Sequence, residues 1–218
     1  AVNSAKAYSL LGGKLTLHTC LGKSHNAKLI REDLNVPNLN IIDYGCPTFS
    51  VPTSLILLNK NNGSRTIISS PKDDTVNSLK NLKCLGNVLF IDGFYIKTAI
   101  DEIKKSKLRG AVSVFDADKW RDDGYLNFIS DVDYVLAGDE FLPPRCQSQE
   151  DVISFFKSKK IKNFAITNGK NDIILHHEGQ LKRMSVPQVN SVDSLGAGDV
   201  FHGAFCYFVQ KHNFVDAL

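Results

Sequence analysis

Apolar and polar residues change period several times along this chain, and each change predicts an element. Residues 1–11 carry a helical pattern that Gly12-Gly13 would end. Leu15, Leu17, Thr19 and Leu21 alternate with polar neighbours, the period of a half-buried strand, and a helical stretch follows over about 26–34. Two β-rich runs within 50–69 flank Asn61-Asn62-Gly63-Ser64. Asn and Gly tolerate the positive φ of tight turns, so these runs predict a hairpin. From residue 87 the rhythm becomes regular. Strands are predicted at 87–92, 110–118, 133–138 and 162–167, with helices at 95–107 and 149–159 and a short helix after 118. Residues 172–184 read as a second hairpin turning at Glu178-Gly179. A final helix runs to about 211, with Val200, Phe201, Ala204, Phe205 and Phe208 as its expected buried stripe. Alternating strands and helices predict βαβ units and a mostly parallel sheet covered on both faces. The early hairpin breaks that rhythm and is expected to form a small lid or edge sheet.

Composition narrows the function classes. The 218 residues are 43% hydrophobic and 22% charged, the balance of an ordinary globular protein. Net charge is +3, with Lys and Arg scattered rather than striped, so no nucleic-acid partner is implied. The densest basic run, 102–110, reads as the solvated face and last turn of a helix, where cations suit the dipole. Five cysteines lie far apart with no C-x-x-C, which suggests neither a disulfide framework nor a zinc site. A reducing, cytoplasmic location is expected. No apolar run approaches the ~18 residues that span a membrane, and no signal peptide is visible. Because the helical pattern is already under way at residue 1, the natural start is expected upstream. Asn62-Gly63-Ser64 matches a glycosylation sequon but reads as a plain turn.

Other candidates for chemistry are few. His176 and His177 are adjacent on a strand, so they point to opposite faces and cannot chelate one ion together. Asp116 and Asp118 end a strand at the sheet edge where α/β ligands bind; they serve either substrate or magnesium, or cap a turn. Trp120, the single tryptophan, is a sugar platform or a packing residue.

The strongest chemistry lies in "DSLGAGD", residues 193–199, just before the last helix. The first-turn amides of a helix, here about 197–200, lack intrahelical partners and face the positive end of its dipole. Gly196, Ala197 and Gly198 let an anion approach that backbone closely. A dinucleotide fingerprint would need glycine at 201, which is Phe201, and no Gly-Lys in the chain satisfies a Walker loop. Asp199 follows the glycines directly. A carboxylate beside an anion hole can take a proton from an alcohol while the amides hold a transferring phosphoryl group.

These residues resemble the D-[ST]-x-G-A-G-D signature of the PfkB/ribokinase family of carbohydrate kinases. Residues 3–13 are similar to the family's N-x-A…L-G-G helix, and 51–67 resemble its lid strands, most closely in ketohexokinase-like members. "VSVFDAD", "DYVLAGDEF" and "AITNG" match its central strands and nucleotide-lining T-x-G element. The resemblance implies one ribokinase-like domain over 1–218, a three-layer α/β sandwich with lid strands around 39–70. Both ends of the family fold are expected to lie outside this stretch. It implies ATP-dependent transfer to a sugar hydroxyl, with a weak tilt toward a ketohexose. Asp199 is then the catalytic base, and Gly196, Ala197, Gly198 and Asp199 supply the anion hole. Asn3 contacts sugar hydroxyls, Thr167 and Gly169 line the nucleotide, and Glu140 orients hydrated Mg²⁺. The expected partners are a small-molecule sugar and ATP, with a homodimer through the lid strands. Three elements depart from the family pattern: Ala137 replaces the Asn of N-x-x-E, Ser24 and Ala27 replace an Asp and a Gly, and Asp172 stands where a second glycine is common. The alternative is a catalytically silent ribokinase-like ligand-sensing or interaction protein.

Overall fold

A computed structural model describes residues 1–59, 65–70, 79, 82–190 and 193–218. The expected turn at 61–64, and with it Asn62 of the sequon, lies outside the described residues. In chain order the elements begin with α1 (Val2–Leu10), β1 (Leu15–Thr19), α2 (His25–Asp33), β2 (Leu39–Asp43), β3 (Ser54–Leu58) and β4 (Arg65–Ser69). They continue with β5 (Val88–Ile91), α3 (Ile96–Leu108), β6 (Val112–Ala117), a 3-10 turn at Asp123–Asn127, β7 (Tyr134–Gly138) and α4 (Gln149–Ser158). The chain closes with β8 (Phe164–Asn168), β9 (Asn171–His177), β10 (Gln180–Met184), α5 (Ala197–Phe208) and α6 (Phe214–Ala217).

The main sheet has six strands in the order β10-β9-β8-β7-β6-β5. β5 to β8 pair in parallel, while β9 and β10 return antiparallel as a hairpin. That hairpin turns where expected: Glu178 and Gly179 both have positive φ, 51° and 78°, the geometry whose twist matches paired strands. Side chains alternate across the sheet with period two. Phe115, Val135, Phe164 and Ile166 pack beneath α3 and α4 on one face. Val114, Leu136, Ala165 and Leu175 pack beneath α5 and α6 on the other. The result is a three-layer sandwich with an apolar core on each side of a mostly parallel sheet. His176 and His177 obey the same alternation, one stacking on Phe164 and the other against Phe214.

Among the described residues two further sheets have two strands each. β3 and β4 form the antiparallel hairpin, separate from the main sheet. β2, the first strand of the 39–70 segment, pairs in parallel with β1 rather than with the hairpin. Between β1 and β5 lies a cavity of about 1130 Å³, lined by both strands and by α1 and α3.

α5 departs from its expected stripe. Val200 and Phe208 are exposed, while His202, Phe205, Cys206 and Val209 are buried. The pattern assumed one buried face, but this helix packs against α1 as well as against the sheet. Phe205, Cys206 and Val209 press on the sheet. Gly203 meets α1 so closely that an added Cβ would lie 2.3 Å from the Ser4 carbonyl oxygen.

Candidate active site

The loop before α5 is built from local bonds. The Asp193 carboxylate accepts the Leu195 amide at 2.8 Å, closing a turn that short polar side chains favour. Gly196, the N-cap, has φ +78°, which glycine adopts without the penalty of a Cβ. The Ala197 amide donates to the Ser194 carbonyl, and that of Val200 donates to Gly196. This takes 197 and 200 out of the expected set of free amides. Among the described residues, Gly198 and Asp199 keep amides with no backbone partner. A Cβ at Gly198 would meet nothing within 4 Å, so this stretch of backbone is open to a ligand.

Asp199 stands in that first turn with about 30% of its side chain exposed. Both carboxylate oxygens are held from α1: Asn3 Nδ2 donates to Oδ2 and Ser4 Oγ to Oδ1, each at 3.1 Å. Asn3 therefore touches the predicted base itself. The Ala1 nitrogen lies 3.5 Å from Asp199 and 3.8 Å from Asp92, so the two carboxylates flank one backbone atom. Asp92 follows β5 at the carboxyl edge of the sheet, and burial pushes its carboxyl above the ordinary range.

The remaining predicted residues sit at the same edge without a hydrogen bond to the α5 loop among the described residues. Thr167, in β8, donates to the Ala137 carbonyl at 3.3 Å. Gly169 follows with φ +53° and open space around it. Glu140, after β7, is exposed and pairs with Lys119 at 2.5 Å. Ala137 is fully buried in the core, so it offers no ligand. Among the described residues no group of three or more His, Cys, Asp or Glu could hold a metal ion.

The paired aspartates do not act together. Asp118 lies beyond β6 and forms a two-toothed pair with Arg121, whereas Asp116 is buried beside His202. Trp120 packs edge-on against Tyr125, Phe141 and Phe155, and its Nε1 donates to Asp123. It is a packing residue. Ser4, Asp92 and His202 escaped the sequence reading as members of this region, and Asp116 was singled out only as a pair with Asp118, not with His202. Asp92 carried a usable signal, an acid directly after a predicted strand. Ser4 adjoins Asn3, but only its contact across 195 positions gives it meaning.

The fold has solved counterparts. A ribokinase-type protein from Agrobacterium tumefaciens superimposes with TM-score 0.85 at 19% identity, covering 100% of this chain and 74% of that one. The ribokinase of Thermotoga maritima gives TM-score 0.74 at 20% identity, over 100% of this chain and 74% of the other. Aminoimidazole riboside kinase from Salmonella enterica, in complex with aminoimidazole riboside and an ATP analogue, gives 0.78 at 14%, over 99% and 80%. By sequence, 74 residues are 35% identical to the ribokinase of Staphylococcus aureus (strain COL). That match takes in 33% of this chain and spans about a quarter of the relative's length, 24%. These likenesses fix a ribokinase-like α/β fold. Residues 1–217 match the pfkB family carbohydrate kinase profile, and the chain belongs to that family.

Proposed function

We propose that this chain transfers the γ-phosphoryl group of ATP to a hydroxyl of a sugar or sugar-like alcohol, with ketohexoses first among the acceptors. One juxtaposition carries the reading. A carboxylate oriented through both oxygens shares a helical turn with unpartnered amides and side-chain-free backbone. Asp199 takes the proton of the attacking hydroxyl. The Gly196, Gly198 and Asp199 amides hold charge on the phosphoryl group where the helix dipole favours it. Asn3, exposed beside Asp199, also meets the sugar hydroxyls. A catalytically silent ligand sensor has no need of this set, so its presence supports turnover.

Thr167 and Gly169 line the nucleotide, consistent with their place at the carboxyl end of β8. Mg²⁺ is usually held by phosphates, waters and one or two carboxylates rather than by an all-protein cage. Glu140 fits that modest demand as the single carboxylate, with Lys119 as its resting partner. When bound, the ion neutralises phosphate charge. The hairpin supports a homodimer: Leu55 and Ile68 pair on one face, and Leu58 and Ile67 lie on the other, all more than half exposed. A two-stranded sheet apolar on both faces needs cover on both. A cytoplasmic site of action accords with this role; no helix among the described residues is long and apolar enough to cross a membrane.

The test is an ADP-release screen over ketoses, aldoses and nucleosides, run beside Asp199→Asn. The expected result is turnover with at least one sugar, and a loss of at least 100-fold in kcat in the variant. Turnover with none of them, or an Asn variant as active as the parent, would refute the reading.

A further inference from the structure

Beneath the first turn of α5 a carboxylate and an imidazole are buried together. Asp116, in the last turn of side chains on β6, is 7% exposed, and His202, three residues after Asp199, is 6% exposed. Asp116 Oδ2 stands 3.3 Å from His202 Nδ1. Neither His202 Nδ1 nor Asp116 Oδ1 makes a hydrogen bond among the described residues. Phe90 and Phe201 border the imidazole with ring centres 6.0 and 5.6 Å away. The Cys206 thiol, one turn along α5, is pushed up by burial and then by the Asp116 charge.

Such a pair is a poor source of stability, because desolvating two polar groups is repaid only by excellent geometry, and apolar residues of similar size often do as well. Its location gives it another use. The apolar contacts of α5 with the sheet are non-directional and permit the helix to slide or turn. The Asp116–His202 contact joins one point on the sheet to one point on the helix, a single turn from Asp199. It opposes rotation of α5 about its axis, and hence movement of Asp199 and the free amides of Gly198 and Asp199. Gly203 against α1 restrains the helix from a second side.

We propose that Asp116 and His202 are positioning residues that set the rotation and height of the first turn of α5 against the end of β6. Their effect on catalysis rests on the kinase reading of Asp199; their effect on the helix does not.

The experiment compares the 218-residue chain with His202→Phe, His202→Asn and the double variant Asp116→Leu/His202→Phe. Asn keeps a side-chain donor near the place of Nδ1, whereas the double variant replaces the polar pair with an apolar one. Readouts are the thermal midpoint, amide hydrogen exchange at 197–201 against that of β6–β8, and kcat with KM for ATP. The double variant is expected to melt within a few degrees of the parent. Its 197–201 amides should exchange at least tenfold faster and its kcat fall at least tenfold, with KM for ATP within threefold. His202→Asn should stay within about threefold of the parent in exchange and rate. A double variant matching the parent in exchange overturns the proposal, as does a His202→Asn as impaired as His202→Phe. If the parent turns over no sugar, the kinase reading fails and exchange alone decides this one. If the double variant does not fold, the Phe and Asn variants decide it.

Discussion

Gly203→Ala tests how closely α1 governs the proposed base. The new Cβ would stand 2.3 Å from the Ser4 carbonyl oxygen, 2.9 Å from Ala7 Cβ and 3.1 Å from Ser4 C. Two of these are backbone atoms, so no side-chain rotation relieves the clash, and the helices must part by about 1 Å to restore ordinary contact. Overpacking of this kind costs about 1–3 kcal/mol, while replacing glycine by alanine inside a helix returns up to ~1 kcal/mol. The net loss of stability is therefore small, on the order of 0–2 kcal/mol. Catalysis should suffer more. Asn3 and Ser4 move with α1, and their 3.1 Å bonds to Asp199 cannot survive a shift of that size. Misplacing a reacting group by ~1 Å costs on the order of 100-fold in rate. The assay is kcat by coupled ADP release together with a thermal melt of the same preparation. A variant with unchanged kcat and a raised melting temperature would refute the reasoning, because helix propensity alone would then be acting.

Two further variants probe neighbouring contacts. Ser4→Ala removes the hydrogen bond to Asp199 Oδ1; at ~1–1.5 kcal/mol this predicts about a tenfold fall in kcat with little change in KM for ATP, read by steady-state kinetics. Asp43 gathers the amides of Leu21, Gly22 and Gly45 and the Arg31 guanidinium at the end of β2. Burial alone would raise its carboxyl, but these hydrogen bonds outweigh burial and hold it below the ordinary value of 3.8. A depressed carboxyl contributes its full stability above the unfolded value and loses it as pH falls through the folded one. Asp43→Asn should thus lower stability by about 1–3 kcal/mol at pH 7. The gap from the parent should close as pH falls below about 3.8, followed by melts from pH 7 to 2.5; a gap constant across that range would contradict the account.

The elements from 87 to 184 were legible because each strand or helix there carries one period long enough to read. Residues 172–184 even announced their turn through Glu178-Gly179. The place of β2, which pairs with β1, was not legible, because Leu39-Asn40-Ile41-Ile42-Asp43 alternates like a strand without saying which edge it joins. The α5 stripe was right at Phe205 and Phe201 but wrong at Val200 and Phe208, which are exposed, because packing also selected His202 and Gly203, a polar residue and one without a side chain. In the candidate site, the glycines and Asp199 were visible as a contiguous run. Ser4, Asp92 and His202 were not, and Asp116 was visible without its partner His202, since these roles arise from contacts between distant parts of the chain.

The bonds from Asn3 and Ser4 to Asp199 join residues 196 and 195 positions apart. They therefore bear on synthesis as well as on geometry. A growing chain displays α1 early, yet nothing for it to orient exists until α5 has been made. The main sheet can pair and bury much of its core beforehand through contacts between neighbouring strands, which close short loops. Asp199 gains its orienting contacts from α1 only when α1 and α5, far apart in the chain, have met. Under the proposed function, a nascent chain acquires its oriented base only once α5 has been translated.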